Sequence, residues 1–423
     1  MPVAALAANM TTIASKRITI RDLGYAPGEL NTGATNSILD VKGVHVSQIT
    51  LPTSGEASNN ASQPSASKGV TIISPRPLEE YYKPCNASTF TFNGNGEMTC
   101  SRQIADWGFT NTPIGFTNSL SLGGVFDGIW DWIIDRQDLD KWDALTRARN
   151  YGTPVVGETA DWWVNCDVRA SRVLAPAIKE ALNGLKSAET GGQVFEGQAG
   201  GGAGMTCHQF TGGTGTSSRL VGGGEGSKKE YTLGVLCQSN YGHLNDLVIG
   251  GVPIGKILAK EKLASSTGKN DEGTDVHAST EIAGRTKDGS ILILIITDAP
   301  LATHQLNRLA RHATVGLTSV GGHGVGRTHS GDIFLALSTA EHGSELIDMK
   351  MKRMNPTQTY STEVVKNESI DAYFVACAEA VEEAILNSLV GGHPGVTGMD
   401  GTKIDGLPLD KVKELLSHHL MQV

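Results

Sequence analysis

Lys287-Asp-Gly-Ser-Ile-Leu-Ile-Leu-Ile-Ile-Thr297 is the stretch on which the fold and the chemistry of this chain depend. The seven residues after Ser290 are mostly β-branched and none is charged, which is typical of a strand buried on both faces. The polar segment before it, residues 265–287, is predicted to be a loop. Ser290 is therefore expected where a loop enters the deepest strand, a position that fixes a nucleophile and leaves it accessible.

The dipeptide Gly289-Ser290 has a second chemical property. A serine hydroxyl can attack the carbonyl of the preceding residue, and glycine offers little resistance to the strained backbone that this shift needs. Water would then open the ester and leave a chain that begins at Ser290, whose α-amine, with a pKa of about 7.7–8.0, can act as a base. On the dipeptide alone, a turn followed by a core strand is the better interpretation, so the rest of the chain must decide.

Composition excludes several classes of protein. The chain has 423 residues, a net charge of −9 and no basic cluster, which argues against a nucleic-acid partner. Its 52 glycines follow no period, so collagen-like and repeat folds are excluded. No apolar run approaches the roughly 20 residues of a transmembrane helix. Residues 1–16 lack the basic start of a signal peptide, and we expect a cytoplasmic protein.

No motif indicates a metal or another cofactor. The six cysteines have no CxxC spacing, which predicts neither a zinc site nor a disulfide framework. His323, His329 and Asp332 are close in sequence, but they lack an HExxH pattern and a fourth ligand at a typical spacing. Residues 250–257 nearly form a phosphate-binding loop, but Ile257 stands where that motif needs Ser or Thr. We predict an enzyme without a cofactor.

Hydrophobic periodicity and turn residues outline the secondary structure. Strands are predicted at 69–74, 112–118, 154–161, 231–240 and 333–338, and helices from 121, at 175–185, from 298 and at 371–389. Asp298 is expected to cap its helix, with Pro300 in the first turn. Residues 205–210 and 217–221 resemble two paired strands. Layers of strands with a few long helices predict an α+β fold with stacked sheets.

Polar residues at predicted strand ends complete a candidate site around Ser290. Ser330 and Asp332 precede a strand, and a second hydroxyl backed by a carboxylate can relay protons around a serine nucleophile. Asn240, at a strand tip, can donate its amide to an oxyanion. Glu158, also at a strand end, can bind the ammonium group of a substrate. Each of these alone is as well explained as an ordinary turn or cap residue.

The order of these motifs resembles the DmpA/BapA family of self-processing N-terminal-nucleophile aminopeptidases. The resemblance extends from about residue 21 to residue 416. It is carried by Arg21–Gly24, Asn36–Val44, Pro113–Ser119, Gly157–Asp161, Gly202–His208, Gly212–Arg219, Tyr231–Leu236, Gly289-Ser290, Thr297–Leu301, Ser330–Thr339 and Glu379–Asn387. So many matches in the same order make a chance similarity a poor explanation.

The resemblance implies a four-layer αββα sandwich of the type shared with ornithine acetyltransferase. It implies one domain over residues 1–423, cleaved into residues 1–289 and 290–423, and a homotetramer. It implies release of an N-terminal L-, D- or β-amino acid from short peptides, amides or esters that carry a free amine. By motif, Ser290 matches the nucleophile, Ser330 and Asp332 its supporting pair, Asn240 the oxyanion asparagine and Glu158 the carboxylate facing the substrate amine.

Two departures from the family stand out. Some members have a Tyr two residues after the glutamate, where this chain has Ala160, so a second oxyanion donor is in question. The segments 222–229 and 265–287 also look long, and the second lies just before the cleavage point.

Two other functions remain open from the sequence. An acyltransferase of the ornithine-acetyltransferase type would share the fold, although such enzymes normally use Thr where this chain has Ser290. A non-catalytic binding protein that stays uncleaved is the other alternative.

Overall fold

The computed structural model describes residues 17–53, 65–137, 152–223, 229–266, 289–322, 325–340 and 357–420, with the side chains of 262–266 left out. Two of the sequence predictions concern residues outside these ranges, namely residues 1–16 and His323. Residues 224–228 and 267–288, which make up most of the two segments that look long for the family, also lie outside them.

The described residues form fourteen strands and seven helices. The strands are β1 (His45–Pro52), β2 (Ser67–Ser74), β3 (Cys85–Gly94), β4 (Phe109–Thr110), β5 (Ile114–Asn118), β6 (Val155–Thr159), β7 (Thr206–Cys207), β8 (Phe210–Thr211), β9 (Gly213–Gly222), β10 (Glu230–Asn240), β11 (Ser290–Thr297), β12 (Gly331–Ser338), β13 (Gly395–Thr397) and β14 (Lys403–Asp405). The helices are α1 (Ser101–Trp107), α2 (Leu122–Gln137), α3 (Ala175–Asn183), α4 (Ile254–Ser266), α5 (Thr303–Ser319), α6 (Asp371–Gly391) and α7 (Leu409–His419).

Strand β11 lies inside a six-stranded sheet of order β4-β3-β12-β11-β10-β9. Its odd-numbered residues, Ile291, Ile293 and Ile295, belong to the core cluster on one face of the sheet. Its even-numbered residues Leu292, Leu294 and Ile296 belong to the cluster on the other face. All six are fully buried, so the prediction of a strand buried on both faces is confirmed.

The second large sheet has four strands in the order β1-β2-β5-β6. Its inner face packs against the six-stranded sheet, where Phe116 and Val155 share a cluster with the leucines of β11. Its outer face is covered by α2 and α3, through side chains such as Ile129 and Ile178. Helices α5 and α6 cover the outer face of the six-stranded sheet. The four-layer αββα arrangement is therefore confirmed.

Most predicted elements are present with small shifts of their ends. The helix expected from Asp298 is an exception, because α5 begins only at Thr303. The carboxylate of Asp298 instead accepts the backbone N–H of Thr232 in β10, at 2.7 Å. Asp298 thus extends the bonding of the sheet, and it does not cap a helix.

The strand pairing expected between residues 205–210 and 217–221 is also wrong. Strand β7 pairs with β8, because the two residues between them take left-handed conformations and reverse the chain at once. Residues 217–221 belong to β9, whose partner is β10.

Candidate active site

Ser290 is the first residue of β11, where its side chain is 9% exposed. The neighbouring strand β12 runs parallel to β11, with Ile291 paired to Asp332. Parallel strands in this register begin at the same edge of the sheet, so the residues just before β12 meet the start of β11. The Oγ of Ser290 accepts the backbone N–H of Gly331 at 3.1 Å.

Ser330 and Asp332 form a hydrogen-bonded pair beside the Gly289–Ser290 peptide bond. The Ser330 Oγ lies 2.6 Å from Asp332 Oδ1 and also hydrogen-bonds to the carbonyl oxygen of Gly289. Asp332 Oδ2 accepts the backbone N–H of Gly326 at 2.6 Å. Both side chains are fully buried, so the pair is held in place next to the bond that the sequence nominates for cleavage.

Asn240 ends β10 and is paired directly with Ser290. Its Oδ1 accepts the backbone N–H of Thr206 at 3.0 Å, and its Nδ2 donates to the carbonyl oxygen of Ala160 at 2.7 Å. A donor on one side and an acceptor on the other fix which way the amide points. Ala160, the position that departs from the family pattern, therefore contributes to the site through its backbone.

Glu158 comes from the other sheet, at the end of β6. Its carboxylate accepts the backbone N–H of Glu97 at 3.0 Å and a hydrogen bond from the Ser119 hydroxyl. A Cβ built on Gly96 would lie 3.3 Å from both Glu158 Oε1 and the Cα of Gly331. Gly96 thus lies between the Glu158 carboxylate and the backbone of Gly331, whose N–H donates to Ser290 Oγ.

The electrostatics of Glu158 favour a cationic ligand. Burial raises the pKa of its carboxyl group, the hydrogen bonds from Ser119 and Glu97 lower it, and the charge of Glu97 raises it further. Within the described part of the chain no Lys, Arg or His pairs with Glu158. A carboxylate in this position gains most from an ammonium group brought by a substrate.

Three residues near Glu158 were not predicted from the sequence. Glu97 and Ser119 bind its carboxylate, and Gly96 leaves room between the two half-sites. The glycine- and asparagine-rich run at residues 93–97, which begins in the last two residues of β3, was an available signal for Gly96 and Glu97. Asp161, which the sequence shows only as the end of the motif Gly157–Asp161, is 1% exposed, accepts amide N–H groups from Asn118 and Asn165, and has its pKa raised to about 6 by burial.

Two searches of the described residues gave negative results. No group of three or more His, Cys, Asp or Glu side chains suited to a metal ion occurs among the described residues. In the same part of the chain, no helix is both long and apolar enough to span a membrane.

Comparison with known proteins identifies the family of the chain. A family model described as Peptidase family S58 matches residues 36–404. The β-peptidyl aminopeptidase BapA of Sphingosinicella microcystinivorans is 36% identical over 399 residues, 94% of this chain and 92% of that protein. A β-aminopeptidase structure from Burkholderia sp. aligns with a TM-score of 0.76 at 35% identity, covering 96% of this chain and 100% of that one.

A further solved structure bears on the fold. The L-aminopeptidase D-Ala-esterase/amidase of Ochrobactrum anthropi, described as a prototype for the serine aminopeptidases and a new variant among the Ntn hydrolase fold, aligns with a TM-score of 0.76 at 32% identity. It covers 95% of this chain, which covers 98% of it. The family match and the fold thus define a serine aminopeptidase with an N-terminal-nucleophile hydrolase fold. The chain belongs to peptidase family S58, which confirms the resemblance seen in the sequence.

Proposed function

We propose that this aminopeptidase activates itself by cleaving the Gly289–Ser290 bond and then releases N-terminal residues through an acyl-enzyme on Ser290. The products of cleavage are residues 1–289 and 290–423. One observation carries the proposal: the Ser330 hydroxyl contacts both the Gly289 carbonyl oxygen and Asp332, beside the nucleophile. An uncleaved binding protein would have no use for two buried hydroxyls and a carboxylate around one peptide bond.

Cleavage requires only groups of the chain and water. Ser290 Oγ attacks the carbonyl carbon of Gly289, the new C–O bond forms, and the C–N bond breaks. The hydroxyl proton of Ser290 ends on its nitrogen, which becomes the free amine. Water then hydrolyses the ester, which leaves a carboxylate on Gly289 and restores the Ser290 hydroxyl.

The hydrogen bonds around Ser330 support a role for its hydroxyl in polarising the carbonyl group of Gly289 for cleavage. The Ser330 hydroxyl has one proton but contacts two acceptors, the Gly289 oxygen and Asp332 Oδ1. When it donates to Gly289, the contact with Asp332 is a hydrogen bond only if the carboxyl carries the second proton. In cleavage, the Ser330 hydroxyl therefore donates to the developing oxyanion, and Asp332 supports Ser330.

In substrate hydrolysis the same residues take related roles. Ser290 Oγ attacks the substrate carbonyl, with its own α-amine or Ser330 accepting the proton, and Asp332 orients Ser330. One N–H of the Asn240 amide, together with backbone N–H groups, stabilises the oxyanion. Glu158 holds the substrate ammonium group, and water releases the acyl-enzyme.

The substrate class follows from the site and from the relatives. Glu158 favours short peptides, amides or esters with a free amine. Relatives named β-peptidyl aminopeptidases make an N-terminal β-amino acid the first residue to test, ahead of the L- and D-forms. Assembly as a homotetramer and location in the cytoplasm remain predictions from the sequence.

The proposal is tested by denaturing gel and intact mass of freshly purified protein. Two fragments, the smaller beginning at Ser290, are expected, and cleaved protein should release free amino acid from alanyl and β-alanyl amides. Incubation with an added amine acceptor separates hydrolysis from acyl transfer. A single full-length chain without hydrolytic activity would contradict the proposal.

Asn240→Ala is expected to lower kcat by about 10²–10³-fold, the usual cost of removing one oxyanion donor. Little change in KM is expected, because the oxyanion exists only in the transition state. Steady-state kinetics with an alanyl amide checks this. Asn307→Ala is the matched control, because Asn307 also donates to a backbone carbonyl but lies on α5, away from the site. Equal kcat in both variants would remove Asn240 from the mechanism.

Glu158→Gln is expected to lower kcat/KM by about 10–100-fold, the value of a hydrogen bond to a charged group. In the native enzyme Glu158 must be ionised to bind ammonium, and its pKa is raised. Activity should therefore fall with decreasing pH through a range above the ordinary glutamate pKa, and this limb should disappear in Glu158→Gln. A substrate whose amine is acetylated is the control. If Glu158→Gln leaves the preference for free amines intact, another group binds the amine.

A further inference from the structure

A small hairpin that the mechanism above does not use clamps the chain directly after Asn240. This clamp hairpin, residues 206–211, consists of β7, β8 and the turn between them. It holds the segment 240–244, which leaves the end of β10 beside Ser290.

Four hydrogen bonds join the clamp hairpin to that segment. The first, from the N–H of Thr206 to Asn240 Oδ1, is one of the two that orient the Asn240 amide. The backbone N–H of His208 donates to the carbonyl oxygen of Tyr241 at 2.6 Å. The other two join His208 Nδ1 to the His243 carbonyl oxygen at 2.9 Å and the Leu244 N–H to Gln209 Oε1 at 3.2 Å.

The imidazole of His208 packs between the clamp hairpin and the segment 240–244. It is fully buried and lies edge-on against the ring of Tyr241, with 5.1 Å between the ring centroids. A Cβ built on Gly242, where φ is +88°, would come within 2.7 Å of the imidazole. The ring therefore fills the space that the turn after Asn240 leaves open.

The local structure around His208 is unfavourable by itself. His208 and Gln209 have φ values of +49° and +66°, in a turn that normally takes Asn or Gly. Because Nδ1 faces a carbonyl, it carries the proton, and burial keeps the ring neutral by lowering its pKa to about 4. Its Nε2 is then a buried acceptor for which the described residues supply no donor. Strained and unsatisfied groups of this kind concentrate where a precise position is needed for function.

We infer that His208 is a positioning residue, which holds the Asn240 amide in the orientation that stabilises the oxyanion. The inference rests on the oxyanion role proposed for Asn240. Without the His208 imidazole, residues 241–244 can relax into the vacated space, and the side-chain amide of Asn240 loses its fixed direction. The loss should appear in kcat alone, because Asn240 acts on a charge that develops only in the transition state.

The test compares His208→Leu with His208→Asn, in cleaved protein. An Asn side chain offers an N–H near the position of Nδ1 and tolerates a positive φ, whereas Leu does neither. His208→Leu is expected to lose up to about 10²-fold in kcat, the effect of a small misplacement in an active site, with KM nearly unchanged. His208→Asn is expected to recover most of this loss. His312→Leu, a histidine replacement on α5, is the control for the substitution itself.

Several outcomes would overturn the inference. It fails if His208→Asn is no better than His208→Leu, if KM rises as much as kcat falls, or if neither variant is slower than the control. If His208→Leu does not fold, His208→Gln replaces it, because its amide reaches past the position of Nδ1, and Asn should then exceed Gln. Asn240→Ala is measured alongside: normal kcat there refutes the oxyanion role, whereas a slow Asn240→Ala beside a normal His208→Leu refutes only the role of His208.

Discussion

Ser290→Ala is expected to give a single uncleaved chain with no measurable aminopeptidase activity. In the proposed mechanism Ser290 supplies both the oxygen that attacks Gly289 and, once cleavage is complete, the nucleophile and amine for substrates. In another serine peptidase, loss of the nucleophile costs about 10⁶-fold in kcat. In this protein the loss of the nucleophile would come in addition to the loss of self-cleavage. Intact mass, a denaturing gel and a hydrolysis assay on the same preparation measure both effects.

Two variants make this result specific. Ser338→Ala removes a buried serine from the far end of β12, whose hydroxyl donates to the Ala299 carbonyl at 2.6 Å, and it should be cleaved and active. Ser290→Cys keeps a nucleophile and should still be cleaved. Normal fragments from Ser290→Ala would mean that cleavage uses another residue. Cleavage that stops while hydrolysis continues would mean that Ser290 serves processing only.

The central strand could be predicted from sequence because its burial is expressed in local composition. Every residue from Ile291 to Ile296 is apolar, and both sheet faces require that. Ser330 and Asp332 were nominated from their place before the next strand, and the parallel register of β11 and β12 brings them to Ser290. The structure thus brings together the residues that the sequence proposed, while their catalytic roles remain to be tested.

Other parts of the site could not be read from local pattern. The contact of Glu97 with Glu158 joins a segment leaving one sheet to the edge strand of the other, so it depends on how the two sheets pack. The clamp hairpin was misassigned because its strands have only two residues each, too short for any periodicity. The late start of α5 could not be read from local pattern either. Asp298 is a residue type that often caps helices, but its carboxylate accepts the backbone N–H of Thr232 in β10 instead.

Arg219→Met is expected to lower the free energy of unfolding by about 3–5 kcal/mol, the cost of leaving a buried charge without its partner. Arg219 is fully buried, and it pairs with Glu379 at 2.9 Å and with Glu383 at 2.7 Å. Burial would raise the pKa of Glu383, but the hydrogen bond from Arg21 and the charge of Arg219 bring it below its ordinary value. The carboxylate therefore contributes stability at neutral pH that is lost as the pH falls through this lowered pKa.

Loss of this ion pair should have two effects, one on the unfolding of the uncleaved chain and one on the association of the two fragments. Arg219 belongs to the proposed fragment 1–289 and Glu383 to the proposed fragment 290–423, so the proposed cleavage would make this ion pair a contact between two separate chains. Urea unfolding of the uncleaved Ser290→Ala protein, with and without Arg219→Met, measures the intrachain effect. Gel filtration of cleaved protein in mild urea measures whether the fragments separate earlier.

Two comparisons decide whether the buried charge is the cause. Lys179→Met breaks an ion pair with Asp135 in which both side chains are about 70% exposed, and it should cost less than about 1 kcal/mol. Adding Glu379→Leu to Arg219→Met should restore part of the lost stability, because among the described residues Glu379 pairs with no cation other than Arg219, whereas Glu383 keeps Arg21. If Arg219→Met costs no more than Lys179→Met, water or neighbouring groups solvate these carboxylates, and the two fragments are held together by the apolar core between the sheets and helices.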